Sequence, residues 1–295
     1  MWNKALSTGL ISLALIPHVS SALACDVSTL SLQPIMTQSS YDVFNNSRYA
    51  ATYSYRVAAN LVGEDCALEV ILQLEDTSRS LKSVQREALD FEWYSQTGNA
   101  VANQWRLTLT DEQPSATVQL RFPGKQWLNA GIYEGELELL LPQAADYPMI
   151  DISPSSVPVY MSVPAAAKIH YYGASQHHYD LALGELYSNK VIHSAPNLWV
   201  QSNAPYTITL SSAHQGMLRH ESNNPKWDIP YQITIDQDAV DLKQIEAYID
   251  RNASTFGQAL PMNFTIGNTI EKPGGQYEDT LEISIEPHLS QRPYL

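Results

Sequence analysis

Apolar and polar residues alternate one by one along almost every stretch of this chain that can form regular structure, and that pattern limits its fold more than any other feature. Val118, Leu120 and Phe122 alternate with Gln119 and Arg121, and Leu137 and Leu139 with Glu136 and Glu138. Farther on, Tyr206, Ile208 and Leu210 alternate with threonines, and Tyr231, Ile233 and Ile235 with Gln232, Thr234 and Asp236. Leu281, Ile283 and Ile285 close the series. A period of two puts successive side chains on opposite faces of a strand, so each stretch predicts a strand with one buried and one solvated face. Seventeen Tyr and seventeen Pro fit strands separated by turns. Helical spacing is confined to Ser80 to Ala88 and Asp241 to Arg251, each of which predicts one short helix. The fold class expected is all-β.

A repeat sets the domain organisation. Gly131-Ile-Tyr133-Glu134-Gly-Glu-Leu137-Glu138-Leu139 is matched 144 residues later by Gly275-Gln-Tyr277-Glu278-Asp-Thr-Leu281-Glu282-Ile283. Leu89 to Trp93 stands in the same way to Ile229 to Ile233, and the strand-like stretches Ala67 to Leu74 and Thr207 to Leu210 precede them in the same order. The chain therefore reads as two immunoglobulin-like sandwiches in tandem, 25–163 and 164–295, after a leader at 1–24. The alternating run Val157 to Val163 suits either the last strand of the first domain or the first strand of the second. Pro164-Ala-Ala-Ala reads as the junction and assigns the run to the first.

Residues 1–24 have the layout of a signal peptide: Lys4, an apolar stretch from Ala5 to Ile16, and Ala22-x-Ala24 before the cleavage point. Cys25 would then open the mature chain. Ala22, where lipoproteins carry a large aliphatic residue, favours ordinary cleavage over lipidation. In an exported chain the two cysteines, Cys25 and Cys66, suggest a disulfide, the alternative being two buried thiols. A net charge of −14 argues against nucleic acid and anionic membrane surfaces as partners.

Nothing in the chain points to catalysis. There is no Gly-x-Ser-x-Gly elbow and no Gly-rich phosphate loop. Glu134, Glu136 and Glu138 fall on the solvated face of one strand. His170, His177, His178, His193, His214 and His220 read as surface residues, because adjacent histidines on a strand point to opposite faces. No catalytic residue, metal ligand or cofactor is expected.

The closing stretch, Gly275-Gln-Tyr277-Glu-Asp279-Thr-Leu281-Glu-Ile283-Ser-Ile285, resembles the last strand of the spore coat protein U-like domain, the subunit fold of archaic chaperone–usher pili. Val200 to Leu210, Gly216-Met-Leu218 and Ile229-Pro230-Tyr231 are similar to other runs of that family, so the resemblance covers most of residues 178–287. The first domain shares only its cysteines and the strand from Gly131, with Gly135 in place of the motif aspartate. The resemblance implies a second domain that lacks its final strand. Tyr277, Asp279, Leu281, Ile283 and Ile285 would form the edge that accepts one, first from a periplasmic chaperone and then from a neighbouring subunit. The strand from Asp26 to Leu32 begins at the cleavage site and leaves no spare donor segment. A subunit that accepts but does not donate resembles the tip adhesin of such pili.

The expected function is thus a fimbrial tip adhesin exported through the periplasm to the cell surface, mediating attachment or biofilm formation. Its partners would be chaperone, outer-membrane usher, neighbouring subunit and an unknown surface or glycan receptor. Tyr41, Phe44, Trp105, Trp127 and Leu128, on loops of the first domain, are the candidate adhesive residues. Capping of the core is the competing reading, weightier for Trp105 and evenly balanced for Trp127-Leu128. The alternatives are a secreted spore-coat or matrix protein of the same family, a periplasmic chaperone (disfavoured by the acidity) and an extracellular hydrolase.

Overall fold

The computed structural model describes residues 26–36, 40–63, 65–142, 151–173 and 178–288. The leader and Cys25 lie outside them, and with Cys25 the expected Cys25–Cys66 bridge; Cys66 itself is buried just ahead of a strand.

The alternating stretches are strands. In the first half they run Asp26–Met36 (β1), Tyr49–Val62 (β2), Ala67–Leu74 (β3), Ser80–Ser83 (β4), Ala88–Asp90 (β5) and Glu92–Ser95 (β6). Asn99–Val101 (β7), Gln104–Thr110 (β8), Ser115–Pro123 (β9), Gly131–Leu140 (β10), Asp151–Ile152 (β11) and Ser156–Val163 (β12) follow. The second half comprises Ala167–Tyr171 (β13), Val191–Ile192 (β14), Leu198–Ser202 (β15), Tyr206–Ser212 (β16), Met217–His220 (β17) and Ile229–Ile235 (β18). It ends with Asp238–Val240 (β19), Ala247–Arg251 (β20), Thr255–Leu260 (β21), Met262–Ile266 (β22), Tyr277–Glu278 (β23) and Leu281–Pro287 (β24).

Both expected helices are strands instead. Ser80–Ser83 pairs with Ala88–Asp90 across a turn, and Ala247–Arg251 pairs with β16. Leu81 and Leu89, and Ala247 and Ile249, bury on one face each. Pairing and burial outweigh a weak local helical preference.

The first sandwich packs a sheet in the order β11-β1-β2-β9-β6 against one in the order β5-β4-β10-β3-β8-β7, with β12 beside β10. One core joins the inward residues of both sheets, among them Leu30, Tyr53, Leu72, Phe91, Leu120, Tyr133 and, from β12, Val159 and Met161. The second sandwich has its own core, including Val200, Ile208, Ile233 and Phe264. It consists of β13-β15-β21, β14-β22-β18-β17-β23 with β19 beside β18, and β20-β16-β24. The repeat seen in sequence is a repeat of pairing. β10 lies between β3 and β12 with β4 along its first half, and β23–β24 meet β17 and then β16 in the same succession.

The junction is built around Asn203, whose side chain is fully buried. Its Oδ1 accepts from the Ala166 N–H at 2.7 Å and its Nδ2 donates to the Pro164 carbonyl at 3.0 Å. Its own carbonyl accepts from Ala130 of the first sandwich at 2.9 Å. Asn203→Ala removes both bonds and leaves the partly buried Ala166 N–H without its partner, a cost of about 1–2 kcal/mol. Urea unfolding of the purified chain reads that loss, and a variant as stable as the wild type contradicts it.

Candidate functional site: an open strand edge

The repeat supplies an internal comparison for β24. In the first sandwich β12 runs antiparallel to β10, with Tyr133 opposite Met161, Gly135 opposite Val159 and Leu137 opposite Val157. With that neighbour in place, Tyr133, Leu137 and Leu139 are 0 %, 0 % and 1 % exposed. The counterparts on the second sandwich are Tyr277, Leu281 and Ile283, and all three are only half-buried, as is Ile285. β24 pairs with β16 on one side, from Leu281 opposite Ser212 to Pro287 opposite Tyr206. Among the described residues no strand pairs with its other side. β13 comes close to β24 without pairing to it. A groove of about 1060 Å³ opens there, lined by Tyr277 to Leu281 and Ile283, by the inward residues Tyr231 and Phe264, and by the segment 178–186.

Of the five residues expected at an acceptor edge, Tyr277, Leu281 and Ile283 present aromatic or apolar surface to this groove, and Ile285 is half-buried farther along the strand. Asp279 does something else. Its side chain is 2 % exposed, and it accepts from Ser212 Oγ and Tyr231 OH at 2.6 Å each and from the His214 N–H at 3.0 Å. The His214 ring nitrogen Nδ1 lies 3.0 Å away as well. Burial, and then the hydrogen bond to the Asp279 carboxylate, push the Tyr231 phenol well above its ordinary value, so its proton stays in place as the donor. In the first sandwich the corresponding pair is Phe91 and Gly135. There a Cβ on Gly135 would already lie 3.0 Å from Leu81 Cδ2. Hydroxyl and carboxylate are thus both present in the second sandwich and both missing from the first.

The histidines are not all surface residues. His220 is buried, hydrogen-bonded through Nδ1 with Ser222 Oγ at 2.7 Å and packed edge-on against Tyr277 at 4.9 Å between ring centroids.

The structure gives the candidate adhesive residues other surroundings than exposed loops. Tyr41 is 0 % exposed; its OH donates to the Pro123 carbonyl at 2.8 Å and accepts from the Gln126 N–H at 3.0 Å. Trp105 and Leu128 are buried in the same core. Phe44 and Trp127 pack edge-on, 5.7 Å apart, and Trp127 in turn meets Phe256 of the second sandwich at 5.2 Å. Lys168 Nζ stands 4.1 Å over the Phe44 ring. The loops that carry Phe44 and Trp127 meet the second sandwich, whereas Tyr41, Trp105 and Leu128 fill the core of the first. Aromatic content on a Gly- and Asn-rich loop carries no sign of which end of a sandwich the loop occupies.

No protein-family model and no curated protein matches the chain. Among solved structures, it is similar to a chain of the CsuC–CsuE chaperone–tip adhesion subunit pre-assembly complex from the archaic chaperone–usher Csu pili of Acinetobacter baumannii. The identity is 13 %, covering 89 % of this chain and 100 % of that one, with a TM-score of 0.43. It is also similar to the CupB6 tip adhesin of Pseudomonas aeruginosa, at 9 % identity over 90 % of this chain and 94 % of that one, TM-score 0.39. The adhesive subunit CfaE of the CFA/I fimbria of enterotoxigenic Escherichia coli matches at 9 % identity over 88 % of this chain and 81 % of that one, TM-score 0.35.

Proposed function

We propose that this chain is a subunit of a surface fibre, placed at its tip, whose second sandwich is completed by an extended strand from another chain. The observation that carries the reading is the contrast between the two copies of one strand. β10 has a neighbour on each side and a buried apolar face, whereas among the described residues β24 has an unpaired side and a half-buried face. Such an edge takes an alternating strand by main-chain hydrogen bonds, with every second side chain entering the groove. Left unfilled it is a site of aggregation, which fits a periplasmic chaperone as the first partner and a neighbouring fibre subunit as the second. The tip position is supported by β1, whose residues pair with β2 from Asp26 onward and are committed to their own sandwich. Attachment to a surface or glycan falls to the first sandwich, which needs no strand from outside.

Ile283→Asp tests this reading in cells. Ile283 is half-buried in the isolated chain, so the charge costs its folding about 1–2 kcal/mol, but it opposes capture of an apolar strand much more strongly. Immunogold labelling is expected to find the wild-type chain at fibre ends and the variant folded in the periplasm and absent from fibres. Wild-type chain absent from fibres, or the variant incorporated normally, overturns the reading.

A further inference from the structure

Residues 178–186 wall the groove beside β24 in an unusual way. Leu181 and Leu183, two apart, and then Leu186 pack against the core of the second sandwich. A spacing of two presents both leucines to the same face of an extended chain, as a strand would. Yet the segment forms neither strand nor helix, and none of its N–H groups donates to another backbone group among the described residues. What holds its main chain is one side chain: Lys190 Nζ donates to the carbonyls of Leu183 and Glu185, both at 2.7 Å. Lys190 is fixed in turn by backbone bonds, its N–H to Tyr187 at 3.2 Å and its carbonyl from Ile266 at 2.9 Å.

We propose that residues 178–186 are a displaceable strap. Its leucines cover the core of the second sandwich beside the groove until an incoming strand takes their place, and Lys190 is the clasp. The proposal rests on the open-edge reading above and adds a control to it. An incoming strand pairs its backbone with β24, as β12 pairs over eight consecutive positions with β10. The strap makes no such bonds, so an incoming strand outcompetes it, and the burial of its leucines is what capture must give up. It acts on the rate: capture waits for the leucines to lift out, a local opening that involves few buried contacts and no backbone ladder. A groove covered in this way exposes less apolar surface before a partner arrives.

The test uses the full-length mature chain and a fluorescent peptide with the sequence Ser155 to Pro164, which includes the strand that completes the first sandwich. Peptide capture is followed by anisotropy for the wild type, for Lys190→Met and for the double variant Leu181→Ser/Leu183→Ser. Capture is expected to be about tenfold faster in the double variant and about threefold faster in Lys190→Met, with dissociation unchanged. In the wild-type complex the strap becomes cleavable by chymotrypsin while β24 gains protection from hydrogen exchange. Peptide that binds all three proteins at one rate, or a strap that stays protected in the complex, overturns the strap and leaves the open edge standing. Peptide that binds none of them overturns both. Lys190→Met alters a partly exposed side chain outside the apolar core, so it remains informative if the double variant folds poorly.

Discussion

Fusing the sequence Ser156 to Val163 behind Leu295 through a flexible Gly/Ser linker is expected to raise the melting temperature of the second sandwich by on the order of 15 °C. Tyr277, Leu281 and Ile283 are half-buried where their counterparts Tyr133, Leu137 and Leu139 are sealed. Full burial of a large apolar side chain contributes about 1.5–3 kcal/mol, so completing three half-buried ones contributes roughly 3 kcal/mol. The new strand's own burial and backbone bonds are set against the entropy of ordering it. For a domain of this size, each kcal/mol moves the midpoint by about 4–5 °C. Calorimetry resolves the two sandwiches as separate transitions if they unfold independently, and the lower one should move. A control tail with Val157, Val159, Met161 and Val163 replaced by serine keeps length and backbone but loses the inward face, so it should leave the transition in place. Equal shifts for both tails, or none for either, would mean that the second sandwich is complete without a guest.

The strands were legible because half-buried sheets write their burial directly into the sequence. Every second residue from Val118 to Phe122 and from Ile229 to Ile235 is buried. The repeat was legible because both copies of the edge strand keep glycine, tyrosine and the apolar positions that follow, whatever lies beside them. What stands beside the strand was not written there. β10 and β24 carry nearly the same pattern, and only the presence of β12 next to one of them separates a sealed strand from an open edge. The loop aromatics misled for a related reason. Tyr41 sits among polar residues in sequence, but its N–H bonds to the Ser162 carbonyl of β12, which draws the ring inward. Leu181 and Leu183 carried a period-two signal, but it is too short to stand apart from a loop until the groove beneath them is known.

Asp279→Ala is expected to destabilise the second sandwich by about 4 kcal/mol, more than any other single substitution at the edge. The carboxylate lies between the end of β23 and the start of β24, and it gathers donors from β16, from the turn that follows β16 and from β18. Without it, the Tyr231 and Ser212 hydroxyls and the His214 N–H lose one acceptor together, in a place where the carboxylate itself is almost wholly screened from water. Asp279→Asn retains the shape and one acceptor oxygen and should cost about half as much. The first sandwich names the compensating change. Phe91 and Gly135 stand where Tyr231 and Asp279 stand in the second, so the hydroxyl and its acceptor are dispensable as a pair. Tyr231→Phe combined with Asp279→Ala should therefore cost less than the sum of the single changes, by about 1–2 kcal/mol in a double-mutant cycle from urea unfolding. Strict additivity would mean that Tyr231 and Asp279 act separately. The carboxylate would then be held for Ser212 and His214, and the matched loss of hydroxyl and acid in the first sandwich would have no energetic basis.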